Sequence, residues 1–293
     1  RICGDRIAAI LPPGTTEKAE LIIDAQGLII APGFIDNHSH GDITILSGSA
    51  ATNKLEQGIT SEITGNCGIT VSPSAAGVMY QADLSGLNPA ARRIGLRRLR
   101  KFSGFMQMIE KRDMAVNTAF FVGHGAIRGA VMGFRSGRPG AKEMAAMKRL
   151  LADAMESGAL GMSTGLEYPP GSFAGSEELT ELASVVREYG GVYSTHMRGQ
   201  GKTLESSVRE VITLAEASGV RLLISHLKAR GKDNWGSVGH ALEMIDEARS
   251  RGTDIITDLY HYDAAACPLI GTVPNQFAAG GLKALAEKLK EPS

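Results

Sequence analysis

Two histidines spaced two residues apart are the first feature of this sequence with a clear chemical use. His38 and His40 lie in the segment GFIDNHSHGD, in an apolar run that begins at a Pro-Gly pair. Side chains two apart on a strand point to the same face of a sheet. Two imidazoles on one face are suited to bind one metal ion together, since neutral imidazole is a common metal ligand.

Further metal-binding side chains follow other apolar runs. Cys67 lies in GNCGIT, His196 in STHMRGQG and His226 in ISHLKARG. Imidazole nitrogens and a thiolate are the donors that zinc, a borderline-soft divalent ion, prefers. We therefore predict that His38, His40, Cys67, His196 and His226 form a metal centre. Cys67 is a candidate bridge between two ions.

The remaining histidines have simpler interpretations. A single histidine at a strand end is usually a satisfied polar residue, which is the role expected of His124 and His261. His240 lies in a predicted helix. Cys67 considered alone would be a small buried residue. The metal site is favoured by the coincidence of a His-x-His pair with ligand types at other strand ends.

The elements that must position these residues recur along the chain. Short apolar runs of this kind are typical of buried parallel strands. Seven such runs occur, at 33–40, 58–65, 116–124, 159–166, 190–198, 220–228 and 254–262.

Amphipathic helices separate the later runs. Apolar side chains at 204, 208, 211, 212 and 215 follow helical spacing. Gly158, Gly190, Gly219 and Gly252 recur about every thirty residues, and each is predicted to end a helix just before the next strand. This period predicts a (β/α)₈ barrel of the TIM type, in which the carboxyl ends of the strands meet at one mouth.

The predicted barrel is incomplete. Strands one to seven are recognisable and an eighth is missing, so an incomplete barrel is expected over 33–293. Residues 1–32 are predicted to be part of a small β subdomain, with two antiparallel strands joined by a turn at Gln26-Gly27.

Composition narrows the classes of partner. Lysine plus arginine equals aspartate plus glutamate at 31 each, so no net field attracts nucleic acid or an anionic membrane. The three cysteines are too few for a disulfide framework, and no apolar run has membrane-spanning length. These features predict a cytoplasmic protein that binds neither nucleic acid nor a membrane, and they leave its oligomeric state open; a small-molecule substrate is implied only by the family resemblance below.

The motifs together resemble those of the N-acyl-D-amino-acid deacylases, or D-aminoacylases, of the metal-dependent amidohydrolase superfamily. The resemblance covers nearly the whole chain and rests on APGFIDNHSHGD, GNCGIT, STGLEYPPGSFA, STHMRGQG, ISHLKARG and DLYHY. It implies zinc-dependent hydrolysis of N-acyl-D-amino acids by metal-activated hydroxide. The products would be a D-amino acid and a carboxylate.

The resemblance also implies roles for the metal-binding side chains. Cys67 replaces the carboxylated lysine that bridges two metals in cyclic-amide hydrolases of the superfamily. Cys67, His196 and His226 are expected to hold one zinc ion tightly. His38 and His40 are expected to contribute to a second, weaker site.

Substrate-binding and proton-transfer roles follow from the same resemblance. Lys228 matches the lysine that binds the substrate carboxylate in the family, and Tyr260 is its expected hydrogen-bonding neighbour. A solvated lysine and a packing tyrosine are the alternatives. The family's general acid/base is an aspartate on the eighth strand. No aspartate follows Asp263, so this residue is expected C-terminal to Ser293, and the chain by itself is expected to bind metal but to be nearly inactive.

Two other functions stay open from the residues. The first is a cyclic-amide hydrolase of the dihydropyrimidinase or dihydroorotase type, although the segment ALGMSTGLEY carries no lysine. The second is a catalytically incomplete metal-binding fragment.

Overall fold

The protein is described from a computed structural model, which divides it into two compact units, Arg1–Pro32 and Gly33–Ser293. The described residues are 1–47, 51–73, 89–267 and 269–290. Among the helices of these ranges, none combines the length and the apolar character that crossing a membrane requires.

The first unit contains one short pair of antiparallel strands, β1 (Ile2–Cys3) and β2 (Arg6–Ile7). The turn at Gln26-Gly27 forms as predicted, with the backbone N–H of Leu28 donating to Ala25. The strands predicted on either side of it are wrong, since no strand is assigned between residues 8 and 32. The apolar side chains there are exposed, and two strands without a buried face are marginally stable.

The second unit is built on a sheet of seven parallel strands in chain order, with β3 and β9 at its edges. Each of the seven apolar runs contains one strand, so the predicted strands are confirmed. The strands are β3 (Phe34–Ser39), β4 (Ile59–Thr64), β5 (Asn117–Gly123), β6 (Gly161–Gly165), β7 (Val192–His196), β8 (Arg221–Ile224) and β9 (Ile255–Thr257).

Helices connect these strands, as the (β/α) repeat requires. The helices are α1 (Thr52–Leu55), α2 (Pro89–Arg98), α3 (Phe102–Ile109), α4 (His124–Met132), α5 (Ala141–Glu156), α6 (Ser176–Glu188), α7 (Leu204–Ser218), α8 (Val238–Ser250), α9 (Asn275–Ala278) and α10 (Gly281–Lys288). The helices α5 to α8 pack side by side in chain order. The unit is therefore a curled parallel α/β sheet, a partial (β/α)₈ barrel.

In helix α7, the residues of the predicted apolar face belong to the hydrophobic core. All five of its predicted core positions are buried: Leu204, Val208, Val211, Ile212 and Ala215. Full burial of an aliphatic side chain stabilises the folded state by about 1.5 to 3 kcal/mol. Gly219 ends this helix with φ 69°, and its N–H donates to Ala215. The other three predicted helix-ending glycines also have positive φ.

Candidate metal centre

The carboxyl ends of the parallel strands bring the five predicted metal-binding residues together. They form two groups, one of His38, His40 and Cys67, the other of Cys67, His196 and His226. Within each group, one ligand atom of each residue lies within 4.8 Å of the others. Cys67 belongs to both groups. A cysteine in this position can contribute its sulfur to both groups, as a bridging ligand must.

A tight turn after β4 holds Cys67 at this position. The cysteine has a left-handed backbone, with φ 57°, and Gly65 and Gly68 on either side also have positive φ. A Cβ on Gly68 would lie 2.6 Å from the backbone nitrogen of Gly165, so the turn can approach β6 only with glycine there. The buried Asn66 donates from its side-chain nitrogen to the carbonyl of Ile63 at 3.1 Å, which closes the turn.

Distances around the sulfur are short. Cys67 Sγ lies 3.3 Å from His38 Nε2 and 3.6 Å from His226 Nε2. The ring centroids of His196 and His226 are 4.5 Å apart, and those of His38 and His40 are 5.7 Å apart. Cys67 and His226 are buried, whereas His40 is exposed. The group that contains His226 is therefore the more enclosed of the two.

The histidines control the ionisation of the cysteine. Burial by itself raises the pKa of the Cys67 thiol, but hydrogen bonds from His196, His226 and His38 outweigh burial and hold that pKa well below its usual range. Burial also opposes the charged form of His38, yet hydrogen bonds to Asp258 and Cys67 raise the pKa of His38 to about 10. The cluster thus favours a thiolate, the form of cysteine that binds metals. A thiolate among imidazoles fits the ligand preferences of zinc.

Three polar side chains that the sequence analysis missed contact the histidines of the centre. The contacts are Asp258 Oδ2 with His38 Nδ1 at 3.4 Å, Glu167 Oε2 with His196 Nε2 at 3.0 Å, and Gln200 Nε2 with His226 Nδ1 at 2.7 Å. All three follow the carboxyl end of a strand, as the predicted ligands do. The strand-end criterion that selected the histidines and the cysteine would have found these residues too.

Lys228 and Tyr260 lie at the border of the cluster. Lys228 Nζ is 3.4 Å from His226 Nδ1 and 4.9 Å from the centre of the Tyr260 ring. Burial and the neighbouring Arg230 lower the pKa of Lys228. The ring centroid of Tyr260 lies 6.2 Å from that of His226. A half-buried cation therefore sits directly beside one of the candidate ligands.

The other histidines of the described ranges belong to neither candidate group. His124 is fully buried and lies 2.8 Å from Glu178. His240 is exposed and lies 3.3 Å from Glu205. His261 is exposed, and its ring centroid lies 4.2 Å from that of Tyr262.

The partial barrel and the cluster at its strand ends define an α/β-barrel protein with a candidate metal centre. Residues 21–261 match the sequence pattern of the amidohydrolase family, and the chain belongs to this family.

Two curated relatives come from Alcaligenes xylosoxydans xylosoxydans. An N-acyl-D-glutamate deacylase is 39% identical over 269 residues, which cover 92% of this chain and 54% of the relative. A D-aminoacylase is 37% identical over 266 residues, which cover 91% of this chain and 54% of the relative. The chain thus spans about half the length of the curated relatives it matches.

Solved structures agree with the sequence relatives. A D-aminoacylase crystal structure superposes with a TM-score of 0.69 at 37% identity, covering 79% of this chain and 48% of the other. The N-acyl-D-glutamate deacylase of Bordetella bronchiseptica, complexed with zinc and a phosphonate inhibitor, gives the same TM-score and coverage at 33% identity. The resemblance predicted from the motifs is confirmed.

Proposed function

We propose that the protein is a zinc-dependent hydrolase that cleaves the amide bond of N-acyl-D-amino acids. The observation that carries the proposal is the position of Cys67 between two histidine groups at the carboxyl ends of parallel strands. The relatives support the substrate class, because their names describe deacylases of N-acyl-D-amino acids. The products are a free D-amino acid and a carboxylate.

Burial supports a division of the centre into a tight and a weaker site. In the proposal, Cys67, His196 and His226 hold the tight zinc ion, because two of these residues are buried and the side chain of His196 is only 14% exposed. His38 and His40 complete the weaker site, since His40 is exposed and water competes with its ring nitrogen for the metal. A zinc ion bound at this centre would act as a Lewis acid and would lower the pKa of a bound water molecule.

Lys228 and Tyr260 orient the substrate in this proposal. The ammonium group of Lys228 lies next to His226, so a carboxylate bound to it would place the adjacent amide near the metal centre. Partial burial strengthens such an ion pair, because solvent screens it less. Tyr260 packs its ring beneath the same ammonium group, which favours the charged lysine through a cation–π contact.

The cyclic-amide hydrolase alternative has less support. Strand β6 (Gly161–Gly165) contains no lysine to bridge two metals, and Cys67 lies against this strand instead. The two curated relatives carry the names of an N-acyl-D-glutamate deacylase and a D-aminoacylase.

Metal analysis and a stereochemical assay test the proposal. The purified protein is expected to contain roughly one tightly held zinc ion per chain, which Cys67→Ala and His226→Ala lose. Cys267→Ala is the matched control, because Cys267 is an exposed free cysteine. In the full-length protein, which would also supply the general acid/base, N-acetyl-D-methionine and N-acetyl-D-glutamate should be hydrolysed and their L-isomers should not. Full zinc content in Cys67→Ala would contradict the proposed ligand set, and hydrolysis of L-isomers alone would contradict the substrate class.

A further inference from the structure

We infer that Asp258 and Glu167 are positioning residues of the metal centre, each holding the ring of a different histidine through one ring nitrogen and leaving the other to bind the metal. The inference rests on the proposed zinc site and assigns the two carboxylates that set its geometry. Asp258 acts on His38, and Glu167 acts on His196.

The ring of His38 lies between a carboxylate and the cysteine sulfur. Its Nδ1 is 3.4 Å from Asp258 Oδ2, and its Nε2 is 3.3 Å from Cys67 Sγ. A carboxylate that accepts the N–H at Nδ1 leaves the lone pair of Nε2 for a metal ion. The side chain of Asp258 is only 8% exposed, so water competes little for this contact.

The second oxygen of Asp258 fixes another histidine. Asp258 Oδ1 accepts the backbone N–H of His226, which has a left-handed backbone with φ 41°. A non-glycine residue in this region costs about 1 kcal/mol or more, so the conformation needs support from its surroundings. One carboxylate therefore touches one histidine from each of the two groups.

Asp258 also links the two edges of the sheet. It directly follows β9, while His38 and Asn37 lie on β3, and these edge strands do not pair with each other among the described residues. The side-chain nitrogen of Asn37 lies 3.4 Å from Asp258 Oδ2. The β3–β4 ladder already places His38 near the turn that carries Cys67, whereas only side chains join His38 to the segment after β9.

Glu167 plays the same role for His196 from the loop after β6. Its Oε2 lies 3.0 Å from His196 Nε2, and its Oε1 accepts from the guanidinium of Arg230. The backbone N–H of Arg230 in turn donates to the carbonyl of Gln200 at 2.6 Å. The carboxylate is held on both sides, so it presents a fixed acceptor to His196.

The geometry predicts opposite tautomers for the two rings. His38 faces its carboxylate with Nδ1, whereas His196 faces its carboxylate with Nε2. In the zinc-bound protein, His38 should therefore carry its proton on Nδ1 and His196 on Nε2. A carboxylate that only stabilised the fold would not require this pairing.

Zinc affinity and cobalt spectra of Asp258→Asn and Glu167→Gln test the two assignments separately. Loss of a carboxylate partner typically weakens metal binding about 10- to 100-fold, and we expect a loss of that size in chelator competition for each variant. The Co²⁺-substituted variants should keep the thiolate-to-cobalt absorption of Cys67 but show altered d–d bands, because the imidazole geometry changes.

Two carboxylates that contact no histidine provide matched controls. Asp153 accepts the backbone N–H and the hydroxyl of Ser103, and Glu210 pairs with Arg198 at the same 20% side-chain exposure as Glu167. Asp153→Asn and Glu210→Gln should leave zinc affinity and the cobalt spectrum unchanged. An equal loss in these controls would show a general effect on folding and overturn the inference.

The tautomers of the wild-type protein keep the inference testable even if a variant does not fold. NMR correlation of ring protons with ring nitrogens identifies the protonated nitrogen of each histidine in the zinc-bound state. A proton on His38 Nε2, or unchanged zinc affinity in Asp258→Asn, overturns the role of Asp258. A proton on His196 Nδ1, or unchanged affinity in Glu167→Gln, overturns the role of Glu167. A wild-type protein that binds no zinc would instead overturn the proposed function.

Discussion

The hydroxyl of Tyr168 donates a hydrogen bond of 2.7 Å to the backbone carbonyl of Cys67, a residue 101 positions earlier in the chain. The ring of the same tyrosine packs edge-on against His196, with centroids 5.3 Å apart. Tyr168 is only 6% exposed. One side chain thus connects the cysteine turn after β4 with the histidine that ends β7.

Removing this hydroxyl should destabilise the protein. Tyr168→Phe is expected to lower the free energy of unfolding by about 1 to 3 kcal/mol, because a buried carbonyl loses its donor while the ring stays in place. Urea denaturation measures the change. Tyr189→Phe is the control, since the Tyr189 hydroxyl donates to Glu156 at the surface. Equal effects of the two substitutions would show that the hydrogen bond to Cys67 stabilises the protein no more than the surface hydrogen bond does.

The two histidine groups should differ in metal retention. His40→Ala is expected to lose only a weakly bound second ion, because His40 is exposed and belongs to the group without His196 and His226. His196→Ala is expected to lose the tightly held zinc. Equilibrium dialysis over a range of zinc concentrations separates the two sites. Loss of the tight zinc in His40→Ala would contradict the division of the centre.

Substrate orientation should depend on Lys228. Lys228→Ala is expected to raise KM and lower kcat/KM by roughly 10- to 150-fold, which corresponds to about 1.5 to 3 kcal/mol for a hydrogen bond to a charged group. Steady-state kinetics of the active protein check this. Esterifying the substrate carboxylate should cause a similar loss in the wild type and little further loss in Lys228→Ala. Lys202→Ala, an exposed lysine, is the control.

The buried Tyr193 should make stability depend on pH in the alkaline range. Burial raises the pKa of Tyr193 from 10 to about 12. The unfolded chain therefore loses this proton before the folded chain does. The stability that Tyr193 contributes is fully present below about pH 10 and is lost as the pH rises towards about 12, with a total of roughly 2 to 3 kcal/mol.

Comparison with Tyr193→Phe tests this alkaline dependence. The variant lacks the ionisable group, so its free energy of unfolding should fall less steeply between about pH 10 and pH 12 than that of the wild type. Urea titrations at several pH values give the two slopes. Identical slopes would mean that Tyr193 ionises equally in both states.

The buried ion pair of Arg128 and Glu178 offers a test of fold stability away from the cysteine. Both side chains are almost completely buried and lie 3.3 Å apart, and Arg128 also donates to the carbonyls of Pro170 and Gly137. Arg128→Met should lower the free energy of unfolding by about 3 to 5 kcal/mol, because it removes the guanidinium partner of a buried carboxylate and the donor to two carbonyls. Urea denaturation measures the loss.

A double variant and a surface pair serve as controls for this prediction. Adding Glu178→Gln to Arg128→Met should recover part of the lost stability, because the buried charge that Arg128 balanced is removed. Arg138→Met breaks an ion pair between side chains that are 80% and 72% exposed, and it should change stability little. A double variant no more stable than Arg128→Met would contradict the role assigned to the buried charge.

Local sequence patterns determined where the strands and helices lie and which types of side chain are available to bind a metal. Apolar runs separated by amphipathic helices predicted all seven strands of the sheet, and glycines at about thirty-residue spacing predicted where helices end. These features are readable because strand and helix periodicity depend on neighbours a few residues away. The strand-end rule of parallel barrels then predicted that the histidines and Cys67 would lie together.

Only the tertiary structure decided which side chain faces which. Asp258 is 220 residues from His38, and the chain holds 31 acidic residues, so no local pattern selects this pair. The partner of each ring is set by the curvature of the sheet and by loop backbones such as that of His226. The apolar segments around Gln26-Gly27 do not form strands, because strand formation there also depends on tertiary contacts rather than on local sequence pattern alone. A strand pair needs a surface to cover its apolar face, and that surface is supplied by contacts that are distant in sequence.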